Sequence, residues 1–146
     1  MLTLVAAFVI TASLLLSACT QNQPAPHPEQ NSGQQNYGAH QLNFVGSTLT
    51  VMLEENMTTG YEWSCPTQID SIKMVSDAYI PDETKPGADG SGGTRVFEFE
   101  TLKEGTAVLE FDCIFQGDPK QAAEHMSISV EIDGEGSIVK ATFVGH

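Results

Sequence analysis

From residue 41 onward the chain alternates apolar and polar positions with a period of two. That is the spacing of half-buried strands, and helical periodicity is nearly absent. Leu49, Val51 and Leu53 alternate with Thr48, Thr50 and Met52. Tyr61 and Trp63 flank Glu62, and Phe97 and Phe99 stand among Val96, Glu98 and Glu100. The longest run, from Thr106, puts Ala107, Leu109, Phe111, Cys113 and Phe115 on one face. Met126, Ile128, Val130 and Ile132 alternate with Ser127, Ser129, Glu131 and Asp133. A weaker strand covers Lys73 to Ile80, and a short last one runs from Ile138 to Val144. Lys103-Glu104-Gly105 and Asp133-Gly134-Glu135-Gly136 supply turns. Pro119 to Glu124 is the one helical candidate, and it is short enough to read as loop. About seven to eight strands with regular turns predict an all-β, immunoglobulin-like sandwich, with Trp63 packed between its sheets.

The N-terminal pattern differs. No Asp, Glu, Lys or Arg precedes Glu29, and Leu2 to Leu16 is almost purely apolar. That length suits the core of an export signal and falls short of the roughly 20 residues of a spanning helix. The run ends in Leu16-Ser17-Ala18-Cys19, which resembles a bacterial lipobox. The resemblance implies cleavage before Cys19, transfer of lipid to its thiol, and anchoring by two or more acyl chains at the outer membrane or cell surface. The alternative is an ordinary secretory signal with an incidental Cys. From Thr20 to about His40 the chain is rich in Gln, Asn, Pro, Ser and Gly and poor in aliphatic residues. Such a stretch reads as a solvated tether, with His27 and His40 facing solvent. The organisation expected is a signal peptide over residues 1–18, a lipidated tether over 19–40 and one domain over 41–146.

Charge narrows the partners. Six Lys and Arg stand against 19 Asp and Glu, a formal charge of −13. A chain of that sign repels nucleic acid and anionic headgroups, so membrane contact is expected through the lipid alone. The acidity serves solubility, or attraction to a basic partner. No cluster of Cys and His has the spacing of metal ligands, and Asp82 with Asp89 fits no calcium loop, so no metal or cofactor is expected. Cys113 and His125 lack an orienting third group, which argues against an enzyme. A monomer is expected.

With Cys19 given to lipid, Cys65 and Cys113 remain as an even pair in an oxidising compartment. Both are in phase with core positions. If their strands are neighbours, a disulfide is available, closing a loop of nearly 50 residues and contributing about 4 kcal/mol. Two buried free thiols are the other possibility.

Two segments are not explained by strands. Asn56-Met57-Thr58-Thr59-Gly60-Tyr61 is a polar turn. Gly87 to Thr94 holds four Gly in eight residues, which lets backbone approach a partner closely. These residues resemble the chagasin-type inhibitors of papain-like cysteine proteases. In that family the first loop reads Asn-Pro-Thr-Thr-Gly, then an aromatic and a nearby Trp. Asn56, Thr58, Thr59, Gly60, Tyr61 and Trp63 match it, with Met57 in place of Pro. The second loop is Gly-X-Gly-Gly-Thr before an alternating aromatic strand, matched by Gly90, Ser91, Gly92, Gly93 and Thr94, then Phe97 and Phe99. The third carries Arg-Pro-Trp, and strand ends place Phe115, Gln116 and Gly117 there instead.

The resemblance implies an immunoglobulin-like fold presenting three loops from one end into a protease cleft. The first would block the catalytic centre and the others grip its sides. The reading is therefore a protein inhibitor of papain-like cysteine proteases. The alternative is a surface-anchored adhesion or assembly module without inhibitory action.

Overall fold

The computed structural model describes residues 30–83 and 92–144. Cys19 with the whole signal segment, and Gly90 and Ser91 of the second loop, lie outside the described residues.

Among the described residues there are nine strands in two antiparallel sheets, an immunoglobulin-like sandwich. In chain order they are β1 (Ser32–Tyr37), β2 (His40–Val45), β3 (Thr48–Glu55), β4 (Tyr61–Ser64), β5 (Ile72–Pro81), β6 (Gly93–Thr101), β7 (Gly105–Phe115), β8 (Asp118–Ile132) and β9 (Ile138–Val144). One sheet has the order β1-β2-β3-β6-β5, the other β4-β7-β8-β9. The apolar alternation lands where its period requires. Leu49, Val51, Leu53, Phe97 and Phe99 come from one sheet, and Trp63, Leu109, Phe111, Ile128 and Val130 from the other; all are at most 2% exposed. Phe111 joins the sheets, with ring centroids 5.2 Å from Phe97 and 6.1 Å from Phe99. Each such side chain contributes about 1.5–3 kcal/mol by leaving water.

The tether ends earlier than its composition suggests. Ser32 to Tyr37 is a strand, paired along its length with β2. It has no apolar alternation, so its stability comes from the backbone ladder and from ties to β9. Phe143 donates its backbone N–H to Gln35 Oε1 at 2.7 Å, and Tyr37 stacks on the Phe143 ring at 5.7 Å. Gly33 leaves room for the Phe44 ring, since a Cβ there would stand 2.6 Å from it. His40 is not solvent-facing; its side chain is 12% exposed and meets Trp63 edge-on. Pro119 to Glu124, read as loop, belongs to β8. Its pairing with β7 is interrupted twice, between Cys113 and Ile114 and between Ile114 and Phe115.

The disulfide between Cys65 and Cys113 is not formed; both are free thiols. Their strands are neighbours, as the bridge required, but the register defeats it. Trp63 stands opposite Cys113, and Ser64 opposite Asp112. One step further places Cys65 opposite Phe111, so the two cysteines are diagonal. Diagonal neighbours lie about 7–8 Å apart, too far for a bond that needs Cβ atoms about 3.8 Å apart. Burial pushes the Cys113 thiol up to about 11 and raises that of Cys65 as well. Both therefore stay protonated, and slow to react, at neutral pH. Alkylation in denaturant without reductant is expected to modify both residues, whereas native protein at about pH 8 reacts slowly at each. Intact mass reads the result. A mass two hydrogens short, with no uptake at either position, would restore the bridge.

Candidate functional site

The strand ends that carry the three segments singled out in the sequence lie at one end of the sandwich. The first loop, Asn56 to Gly60, is the crossing from β3 in one sheet to β4 in the other. The second joins β5 to β6 within the first sheet, and the third joins β7 to β8 within the second. Pairing brings their bases together. Gly93 stands opposite Glu55 on one side and Pro81 on the other, and Tyr61 stands opposite Phe115. The first loop thus lies between the other two.

Its shape follows from its residue types. Asn56 caps a single 3-10 turn, Met57–Thr59, and its Oδ1 accepts from Thr58 N at 3.1 Å and Thr58 Oγ1 at 2.7 Å. Thr59 Oγ1 donates to Asn56 O at 2.7 Å. Gly60 closes the turn with its N–H on Met57 O at 3.1 Å and a φ of 79°, a conformation that a Cβ penalises. Both Thr hydroxyls are turned back onto the loop, while Asn56 to Thr59 are exposed and Met57 presents half its surface.

The neck of this loop is tied across the sheets. Trp63 donates its backbone N–H to Glu55 Oε2 at 2.7 Å and its indole N–H to Glu54 O at 2.8 Å. Glu54 N donates to His40 Nδ1 at 3.1 Å, which requires the tautomer with the proton on Nε2, facing Glu124 Oε1 at 3.5 Å. Glu55 is 3% exposed, and its Oε1 accepts no hydrogen bond. Sequence reading missed this carboxylate, although the signal was present: Glu55 continues the inward phase of Leu49, Val51 and Leu53.

The third loop is a tight turn. Gln116 and Gly117 both have positive φ, 49° and 75°, the type I′ pattern of a two-residue hairpin. Phe115 is half-buried and stands opposite Tyr61. Its ring lies 5.2 Å from that of Tyr61 and supports Gly60, where a Cβ would come within 3.0 Å of it. Gln116 N donates to Gly60 O at 2.8 Å. Beyond the turn, Asp118 accepts from Gln121 Nε2 and Lys120 N, each at 3.0 Å, and these bonds lower its pKa.

Of the second loop the described part is its base. Asp82 N donates to Gly92 O at 3.0 Å, and Thr94 pairs with Ile80 and Glu54. Gly93 is required there, because a Cβ would run into the Tyr79 ring and lie 2.6 Å from Ile80 O. Arg95 follows. Its Nε and Nη2 are held by Asp77, the latter at 2.9 Å, and this pairing raises its pKa. Cys113 and His125 do not meet as a nucleophile and base. Cys113 shares the face of Trp63, while His125 sits between Asp112 Oδ1 at 2.7 Å and Glu110 Oε2 at 2.9 Å. Among the described residues no group of His, Cys, Asp and Glu could hold a metal ion.

Residues 44–132 match the model of the chagasin family of peptidase inhibitors, I42. Among solved structures the chain is similar to the cysteine protease inhibitor EhICP2 from Entamoeba histolytica. Identity is 22% and the TM-score 0.52, over 59% of this chain and 78% of that one, a likeness that bears on the fold alone. No curated protein matches the chain.

The loop geometry makes one residue decisive for its own shape. Gly60→Ala places a Cβ at φ 79° and against Phe115. It is expected to lower unfolding free energy by about 1–2 kcal/mol. A urea titration of both proteins checks this, and equal midpoints would show that the turn tolerates a side chain.

Proposed function

The chain belongs to the chagasin family of peptidase inhibitors, and from that premise we propose that it inhibits papain-like cysteine proteases by seating its first loop in their active-site cleft. One observation carries the reading: a hydrogen-bonded, exposed turn rises between the bases of two further loops at a single end of a sandwich. A wedge of this kind fills a cleft without offering a cleavable strand. Asn56, Met57, Thr58, Thr59 and Gly60 form a hydrogen-bonded 3-10 turn, and cleavage needs extended backbone. Because the turn is set before binding, little conformational entropy is lost on association.

The loops divide the work. Met57, Thr58 and Thr59 make the central contact, and Gly90 to Thr94 approach one wall of the cleft with bare backbone. Phe115, Gln116 and Gly117 lack the cation and indole of the family pattern, so Phe115 and Tyr61 act from beneath, as the floor of the first loop. Carboxylates flank the loops in the chain: Glu54, Glu62, Asp82, Glu83 and Asp118 lie within two residues of the strand ends that carry them, with Lys120 close behind. A protease with a basic rim is drawn to such an end, which speeds association and is screened by salt.

Thr59→Arg adds bulk at the apex and leaves the core untouched. It is expected to weaken inhibition at least tenfold, about 1.4 kcal/mol, while the melting temperature falls only by the few degrees that losing the Thr59 hydroxyl's bond to Asn56 O costs. Inhibition constants against a panel of papain-like proteases test it. Equal constants for both proteins would remove the first loop from the mechanism, and no inhibition by either would favour an adhesion module.

Anchoring is part of the same reading. The protein acts from a bacterial surface, held by lipid on Cys19 after loss of residues 1–18. Cys19→Ala is expected to abolish partitioning into the detergent phase. Partitioning like that of the unaltered protein would exclude the lipid anchor.

A further inference from the structure

We propose that Arg95 is a positioning residue that fixes β5 and β6, the base of the second loop, against the neck of the first, through a chain of contacts from Asp77 to Trp63 across the end of the sandwich. Its use in inhibition rests on the function proposed above; the coupling itself rests on geometry. Asp77 on β5 accepts from Nε and Nη2 of Arg95 on β6. The guanidinium lies over the Phe97 ring, 5.9 Å from its centroid. Arg95 Nη1 faces Glu55 Oε1 on β3 at 4.0 Å. The other oxygen of that carboxylate takes the backbone N–H of Trp63 on β4 at 2.7 Å. β5 and β6 carry the second loop, and β3 and β4 carry the first. Four strands, two from each loop, are thereby joined through one cation and one buried anion.

This is not an ordinary surface pair. The Glu55 side chain is fully buried and that of Arg95 is 20% exposed. A buried carboxylate without a compensating charge is strongly destabilising, so removing Arg95 acts on Glu55 and through it on the first loop. Glu62 lies near enough to add to the field on Arg95. The unused donor Nη1 and the unused acceptor Oε1 stand about 1 Å beyond hydrogen-bond length. At this spacing the two act as an ion pair, which ties β6 at the base of the second loop to the neck of the first. Lys at position 95 cannot do this, because an ammonium cannot hold Asp77 with two parallel bonds while also facing Glu55.

The test uses the full chain with Arg95→Met, Arg95→Lys and Asp77→Asn, read by amide hydrogen exchange in the free protein and by dissociation from an inhibited papain-like protease. Arg95→Met is expected to speed exchange of the Thr58 to Trp63 amides at least tenfold while Leu109 and Ile128 keep their protection. Dissociation should quicken by a similar factor. Arg95→Lys and Asp77→Asn, which alter partly exposed groups and keep the core intact, should shift both readouts the same way by less. Combining Glu55→Gln with Arg95→Met should change dissociation by less than the product of the single effects. A merely structural role would raise exchange throughout the sandwich. Faster exchange confined to β5 and β6, with the first loop unmoved, would overturn the inference. Faster first-loop exchange with no protease inhibited by the unaltered chain would support the coupling and refute the inhibitory use.

Discussion

The hydrogen bonds of Trp63 to Glu54 and Glu55 are the constraint on which the loop-bearing end depends. The two sheets meet mainly through interdigitated side chains, which set their distance without fixing where a crossing segment points. Trp63 is buried for its area, and a buried indole N–H needs an acceptor. It finds Glu54 O, the last carbonyl but one before the first loop, while its own backbone N–H reaches the Glu55 carboxylate. Core packing therefore dictates the direction of the loop. The segment between these anchors has little choice but a closed turn, and Asn56, Thr59 and Gly60 are the residue types that satisfy one locally.

A second layer of support comes from the opposite sheet. Gln116 N bonds Gly60 O, and the Phe115 ring fills the space that a Cβ on Gly60 would need. The third loop has become a two-residue turn whose product is the shape of the first. A short hairpin turn with both residues at positive φ is stiff, and stiffness beneath a wedge is worth more than a further flexible contact. The second loop has a fixed root, because Tyr79 crowds Gly93 where β6 begins.

Much of this was legible in the sequence, for a stated reason: wherever one face of a strand is buried, the period of two records it. The runs through Leu49, Phe97, Leu109 and Ile128 lie where their phase put them, and Trp63 lies between the sheets. Strand β1 escaped because Ser32 to Tyr37 buries almost nothing; its partners are backbone groups and the distant Phe143, and composition reports neither. His40 escaped for the same reason, since its burial depends on a Trp more than 20 residues away in the chain. The cysteine pair shows the limit of phase. Facing the same side of neighbouring strands is necessary for a disulfide, but register decides which residues are opposite, and a two-residue offset separated the sulfurs. Glu55 was readable and unread: a carboxylate in phase with three core residues announces a partner it must have found.

That partner changes what the charge pattern means. The chain has a single Arg, and an exposed cation beside a binding loop would ordinarily be taken as a contact. Here its guanidinium is held inward by Asp77 and faces Glu55, so it offers little field to a partner. The loop-bearing end is consequently more acidic than a residue count near it suggests, while its apex, Met57 to Thr59, carries no charge. Shape and charge are thus separated along the chain: the exposed turn Met57 to Thr59 is neutral, and carboxylates lie at the strand ends that carry the loops. Carboxylates left in solvent act at long range and weakly at contact, so they govern how fast a partner arrives. In the mechanism proposed above, how long it stays would fall to the turn and to the Arg95–Glu55 pair behind it.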